Sequence, residues 1–105
     1  MATRDDPVLA RFRAALDALY GDRLERVVLY GSRARGDARP DSDYDIAVFL
    51  KQMDDLWDET GRLADLETAL LYETGVVVHA LPLRAGSEQD RTLFMHEVRK
   101  DGLTL

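Results

Sequence analysis

Two strand-like runs, Leu24–Tyr30 and residues 43–50, are joined by a short connection. It opens on the glycine-bracketed segment Gly31-Ser32-Arg33-Ala34-Arg35-Gly36 and continues through the loop Asp37-Ala38-Arg39-Pro40-Asp41-Ser42. Parallel neighbours need a crossover of a dozen or more residues, usually a helix, and this connection does not suit one. The two runs are therefore expected to pair antiparallel or within a mixed sheet. Val27, Val28 and Leu29 form an apolar run too short for a helix, which reads as a buried strand ending at Gly31. From Asp43 the pattern alternates, with Ile46 and Val48 on one face and Asp43, Asp45, Ala47 and Phe49 on the other.

Helical patterns surround these strands. Asp6 and Pro7 suit an N-cap and first turn, after which Leu9, Phe12, Leu16 and Leu19 share a face until Gly21. Leu56, Leu63, Leu66 and Leu70 predict a long helix over residues 53–74, stopped by Gly75. Residues 76–81 predict a third strand closed by Pro82, and a last helix carries Leu93, Phe94, Met95 and Val98 before Gly102. Trp57 and Tyr72 read first as packing residues on the long helix, and His96 as a partly buried core or interface residue. The alternation predicts an α/β (α+β) layer structure, a small mixed sheet of about three strands flanked by helices.

The chain has 105 residues, which suits a single domain over residues 1–105. Twenty acidic against fourteen basic residues give a net charge of −6 at pH 7 and argue against direct nucleic-acid binding. The absence of cysteine excludes disulfides, thiolate zinc sites and cysteine nucleophiles, and two distant histidines make no zinc site alone. No apolar run approaches the roughly 20 residues of a membrane span, and the first residues lack the apolar core of a signal peptide, so a cytoplasmic location is expected.

The chemistry concentrates in the connection. A glycine after a buried strand permits a sharp turn, and Ser32 opening a short helix would present a hydroxyl and nearby N–H groups to phosphate oxygens. Asp43 and Asp45, two positions apart on a strand, put carboxylates within ~7 Å on one face, where like charges repel unless a cation or proton intervenes. Magnesium is bound by one or two carboxylates together with phosphates, so the pair suits metal-dependent phosphoryl or nucleotidyl transfer. Other phosphate and nucleophile motifs are missing: there is no Gly-Lys-Ser/Thr ending, no Gly-x-Gly-x-x-Gly and no Gly-x-Ser-x-Gly elbow.

Gly31-Ser32, ten intervening residues and Asp43-Tyr44-Asp45 resemble the signature of the DNA polymerase β-like nucleotidyltransferase superfamily. The string GSRARGDARPDSDYDIAVFL resembles its minimal (MNT) branch, and the order of helices and strands is similar to the minimal domain's plan. The resemblance implies that Gly31 and Ser32 hold the terminal phosphates of a nucleoside triphosphate. It implies that Asp43 and Asp45 are catalytic and ligate Mg²⁺, while Arg33 and Arg35 add positive charge near the β and γ phosphates. Solvated helix charge is the alternative for the two arginines.

Active members of the superfamily usually carry a third acidic residue on a later strand, and here that place is held by His79. A histidine there is a base, a nitrogen ligand or a structural residue; Glu73, Glu88 and Asp90 are possible substitutes for the missing acid. The resemblance further implies an antitoxin that transfers AMP from ATP to a tyrosine of a HEPN-domain ribonuclease toxin, in a hetero-oligomer with it. Two alternatives stay open. One is an inactive MNT-like module that neutralises a HEPN partner by complex formation. The other, less attractive without a further domain to shape the pocket, is transfer to a small molecule such as an aminoglycoside.

Overall fold

The computed structural model describes residues 6–105. Four helices and four strands follow the order α1 (Pro7–Tyr20), β1 (Leu24–Tyr30), α2 (Ser32–Arg35), β2 (Tyr44–Leu50), α3 (Leu56–Thr74), β3 (Val78–Arg84), α4 (Leu93–Asp101) and β4 (Leu103–Thr104), with 3₁₀ turns at Gly21–Arg23 and Ser87–Gln89. The strands form one mixed sheet in the order β3-β2-β1-β4. β1 pairs antiparallel with β2 and β4, and β2 pairs parallel with β3. The connection makes an antiparallel pair, as expected: its thirteen residues, 31–43, hold only the single-turn α2 and no helix long enough to cross the sheet, whereas α3 serves as the crossover for the parallel pair.

Capping fixes where the helices start. Asp6 Oδ1 accepts from the Val8 N–H at 2.8 Å ahead of Pro7, and Asp55 Oδ1 accepts from Trp57 N–H at 2.9 Å. Thr92 Oγ1 accepts from Met95 N–H at 3.1 Å. Each cap satisfies a helical donor that has no partner within its own helix.

The sheet buries both faces unequally. Val27, Leu29, Tyr44, Ile46, Val48 and Leu50 pack with Leu9, Phe12 and Leu16 of α1 and with Leu63 and Leu70 of α3. On the reverse face Val28, Ala47 and Phe49 meet Met95 and Val98 of α4. Asp45 alternates with Ala47 and Phe49 and therefore belongs to the α4 face. No helix among the described residues is long and apolar enough to cross a membrane.

The structure corrects several boundaries and placements. The sheet has a fourth strand, short and close to the chain's end, because Gly102 lets the chain pass tightly over β1: a Cβ there would fall 2.6 Å from Val28 Cγ1. β3 begins two residues later than the pattern suggests and continues through Pro82, which pairs with Val48. β3 is an edge strand, where a residue without an N–H is tolerated. α3 starts at Leu56 because Asp55 caps it, while Met53 stays in the preceding loop and is buried.

On α3 the buried row is Glu59, Leu63 and Leu70, so Leu56 is half exposed. Trp57 and Tyr72 lie off that row and are 81% and 86% exposed, contrary to a packing role. In α1 Tyr20 takes the buried place expected for Leu19, and in α4 His96 is exposed while Met95 and Val98 face inward. Glu59 is tolerated in the core because it is bonded by Arg23 and also paired with Arg62.

This burial pattern predicts that Phe49→Ala costs about 3–5 kcal/mol in urea unfolding, whereas Trp57→Ala, although it removes a larger ring, changes stability by no more than about 0.5 kcal/mol. Comparable losses for the two variants would contradict it.

Candidate active site

The site begins at the bend between β1 and α2. Tyr30 pairs with Asp45 across the antiparallel ladder, so the next residue, Gly31, turns directly over the Asp45 side chain. Gly31 has φ 77° and ψ −158°, and a Cβ added there would lie 2.6 Å from Asp45 Oδ2. Only glycine allows both that backbone and that approach. α2 then makes a single short turn, with the Ala34 and Arg35 N–H groups bonded to the Gly31 carbonyl.

The loop that follows is braced by Arg33. Its Nε and Nη2 donate to the Ser42 carbonyl at 3.1 and 2.8 Å, and Nη2 also reaches the Pro40 carbonyl at 3.2 Å. The guanidinium stacks over the Tyr44 ring, 4.0 Å from its centroid. Tyr44 in turn donates its hydroxyl to Asp6 Oδ2 at 2.7 Å, and burial, followed by this bond, pushes its pKa up to about 12. The N-cap of α1, the start of β2 and the loop before Asp43 are thereby tied together. In this conformation Arg33 is engaged with carbonyl groups of its own loop. Arg35 bonds Asp37 at 3.2 Å, and its charge acts on Asp45.

Asp43 immediately precedes β2 and is exposed; Asp45 is half buried within the strand. Burial raises the Asp45 pKa above its ordinary value, and the neighbouring Asp43 adds to the rise; His79 and Arg35 oppose it. His79 on β3 is in register with Asp45, and its Nε2 lies 3.0 Å from Asp43 Oδ2. The structure thus brings Gly31, Asp43, Asp45, His79 and the charge of Arg35 to one end of the sheet, with Ser32 opening the adjoining turn.

The possible substitutes for a third acid lie elsewhere. Glu73 pairs with Arg11 between α3 and α1. Glu88 accepts from the Gly86 N–H in the turn before α4, and the Asp90 carbonyl is held by Arg99. Glu67, passed over in the sequence, is closer: Oε1 accepts from the Ala80 N–H at 3.0 Å, one residue beyond His79, and burial raises its pKa. The available signal was a charged residue set between Leu63, Leu66 and Leu70 on the inward side of α3. A cavity of about 590 Å³ between α1 and α3, on the face opposite Asp45, is lined by Glu73 but by none of Asp43, Asp45, Glu67 and His79.

Among the described residues no three His, Cys, Asp or Glu side chains are gathered closely enough to enclose a metal by themselves. Two carboxylates with phosphate oxygens are a normal set for a hard divalent ion, so the donors present fit such an ion completed by a nucleotide.

With this geometry in place, comparison with known families is decisive: residues 9–99 match the model of the nucleotidyltransferase domain. The chain belongs to this family. Two Methanocaldococcus jannaschii proteins, each named as a putative protein adenylyltransferase, are similar to this nucleotidyltransferase domain. MJ0604 is 34% identical over 77 residues, 73% of this chain and 71% of its own length. MJ0141 is 37% identical over 46 residues, 44% of this chain, and the match spans just under half of that protein, 46%.

The fold is shared with a toxin–antitoxin complex solved with AMP-PNP, with a TM-score of 0.61, 21% identity and coverage of 90% of this chain and 69% of that one. It is shared also with a complex of tri-AMPylated Shewanella oneidensis HEPN toxin and MNT antitoxin, with a TM-score of 0.54, 18% identity and coverage of 92% and 70%. The nucleotidyltransferase domain is therefore the α+β fold that the Gly-Ser and Asp-x-Asp elements led us to expect.

The raised pKa of Asp45 has a measurable consequence. The folded nucleotidyltransferase domain holds this proton more tightly than the unfolded chain, so the group favours folding below the ordinary carboxylate range and loses that contribution as pH rises through the raised value. Ionised Asp45 thus weakens the fold near neutrality. Asp45→Asn is expected to melt at a higher temperature than wild type at about pH 7 without added divalent ion, with the gap closing toward about pH 3. A lower or equal melting temperature at neutral pH would count against the desolvated carboxylate.

Proposed function

We propose that this chain is a divalent-metal-dependent nucleotidyltransferase that moves AMP from ATP to a tyrosine of a HEPN toxin and so acts as its antitoxin. The observation that carries the reading is the contact between the Gly31 bend and the Asp45 carboxylate, which joins the phosphate element to the carboxylate element of the signature. The similarity to proteins named as adenylyltransferases supports the activity, and the shared fold with an AMPylated HEPN toxin's antitoxin supports the partner. The chain acts as one catalytic unit in the cytoplasm, joined to its partner in a hetero-oligomer.

Gly31 and Ser32 receive the terminal phosphates of ATP, with Arg35 adding positive charge. Asp43 and Asp45 hold the cation, Mg²⁺ by family resemblance. Bound there, the cation supplies neutralisation of the triphosphate and a lowered pKa for the attacking hydroxyl. Arg33 acts as a positioning residue: it clamps the Pro40 and Ser42 carbonyls and so fixes the approach to Asp43. His79 bonds Asp43 at 3.0 Å and so stands beside the cation position.

A second reading is favoured by the imidazole beside Asp45: a module that neutralises the toxin by binding alone. The two separate cleanly. With labelled ATP, Mg²⁺ and the cognate HEPN protein, the first reading expects label on the partner and a loss of about 10³-fold or more in Asp43→Asn plus Asp45→Asn. Unchanged labelling in that variant would reject it. Toxin neutralisation by the unlabelling double variant, with complex formation intact, would establish binding alone.

Gly31→Ala offers an independent check. The added methyl must displace Asp45 and strain a positive φ, so the variant should bind AMP-PNP at least about tenfold more weakly while remaining folded by circular dichroism. Wild-type affinity in this variant would remove the contact from the mechanism.

A further inference from the structure

Strand register, rather than chance exposure, brings an imidazole to the carboxylate pair. His79 is the parallel neighbour of Asp45, and residues so paired project to the same face of a sheet. Its Nε2 is turned toward Asp43 Oδ2, the residue two positions before Asp45. The side chain is 59% exposed, so it is reachable by an ion arriving with a nucleotide. Glu67 holds the Ala80 N–H and thereby fixes the stretch of β3 on which His79 rides.

We infer that His79 is a nitrogen ligand of the cation held by Asp43 and Asp45, and that this makes the site select Mn²⁺ or Co²⁺ over Mg²⁺. The inference rests on the reading of the two aspartates as the metal pair. Two donors in adjacent positions of an octahedral ion, each about 2.1 Å from it, stand about 3.0 Å apart. Nε2 and Oδ2 already stand at 3.0 Å. An ion taking this place would replace the hydrogen bond between the two atoms, and neither side chain has to travel far.

The ion's preference follows from the donor set. Mg²⁺ favours oxygen ligands and surrenders water reluctantly, whereas imidazole suits first-row transition ions, whose affinity rises from Mn²⁺ toward Co²⁺ and Ni²⁺. One nitrogen among carboxylate and phosphate oxygens tilts the choice toward Mn²⁺ and Co²⁺ and gives Mg²⁺ no matching gain. The Asp43 and His79 clip supplies two positions; these side chains do not enclose an ion by themselves, and Asp45, phosphate oxygens and water would complete the sphere once the nucleotide is bound.

The test is metal binding by the full chain, measured by calorimetry with Mn²⁺, Co²⁺ and Mg²⁺, alone and with AMP-PNP. The Mn²⁺-to-Mg²⁺ affinity ratio should be at least about tenfold higher in wild type than in His79→Asp. His79→Ala should weaken Mn²⁺ and Co²⁺ by about tenfold or more and leave Mg²⁺ within about twofold. Pulsed electron paramagnetic resonance of the Mn²⁺-loaded chain should show a nitrogen coupling that His79→Ala abolishes, a signal that a purely orienting histidine would not produce.

Because His79 is exposed on an edge strand, both variants should fold, which melting curves verify. Equal affinity ratios in wild type and His79→Asp, or no nitrogen coupling, would overturn the inference while leaving the aspartate pair in place. Failure of wild type to bind any of the ions, or binding indifferent to Asp43→Asn plus Asp45→Asn, would overturn both the inference and the reading beneath it.

Discussion

The approach of the Gly31 backbone to the Asp45 carboxylate governs the rest of this structure. A residue with a Cβ would meet Oδ2 at 2.6 Å, so the β1–α2 bend and the β2 carboxylate can coexist only with glycine at that position. The antiparallel register of β1 and β2 sets the two side by side, and the register of β2 and β3 adds His79 to the same end. Three elements distant in sequence therefore converge without a long loop to carry any of them. A site built on strand ends is held more firmly than one built on loops alone.

The one loop that does enter the site is restrained from two sides. Arg33 gathers the Pro40 and Ser42 carbonyls, and its guanidinium sits over the Tyr44 ring. Tyr44 is anchored by Asp6, which at the same time caps α1. The single carboxylate of Asp6 thus connects helix initiation to the placement of the loop before Asp43. An arginine engaged with carbonyls and an aromatic face holds its loop through the geometry of its planar fork more than through its charge.

Much of this was legible in the sequence where a local rule decided the outcome. The β1–β2 connection, broken by glycines and proline, carried no helical pattern that could cross the sheet, and alternation along β2 put Asp45 on the face of Ala47 and Phe49. What was hidden depended on partners far along the chain. Pro82 looked like a strand end because its tolerance comes from β3 being at the sheet's edge, which no local pattern reveals. Glu59 occupies a core position that Leu56 and Trp57 appeared better suited to fill, because Arg23 reaches it from the turn before β1. The engagement of Arg33 with its own loop was likewise invisible, since arginine beside a phosphate element reads equally well as a ligand or a brace.

The electrostatics of the site pose a conflict for the proposed function: a chain of net charge −6 would have to receive a polyanion. Burial already drives the Asp45 pKa upward, and Asp43 adds to the same pressure, while only His79 and Arg35 act against it. Bringing a triphosphate to these carboxylates would deepen the repulsion unless positive charge came with it. A divalent cation between carboxylate and phosphate converts both from adversaries into shared ligands, and the desolvation that weakens the empty fold then strengthens the filled one, because charge attracts more strongly where water is excluded. Under the proposed function, the same unfavourable burial that makes Asp45 a burden to folding would make it a good place to hold metal and nucleotide together.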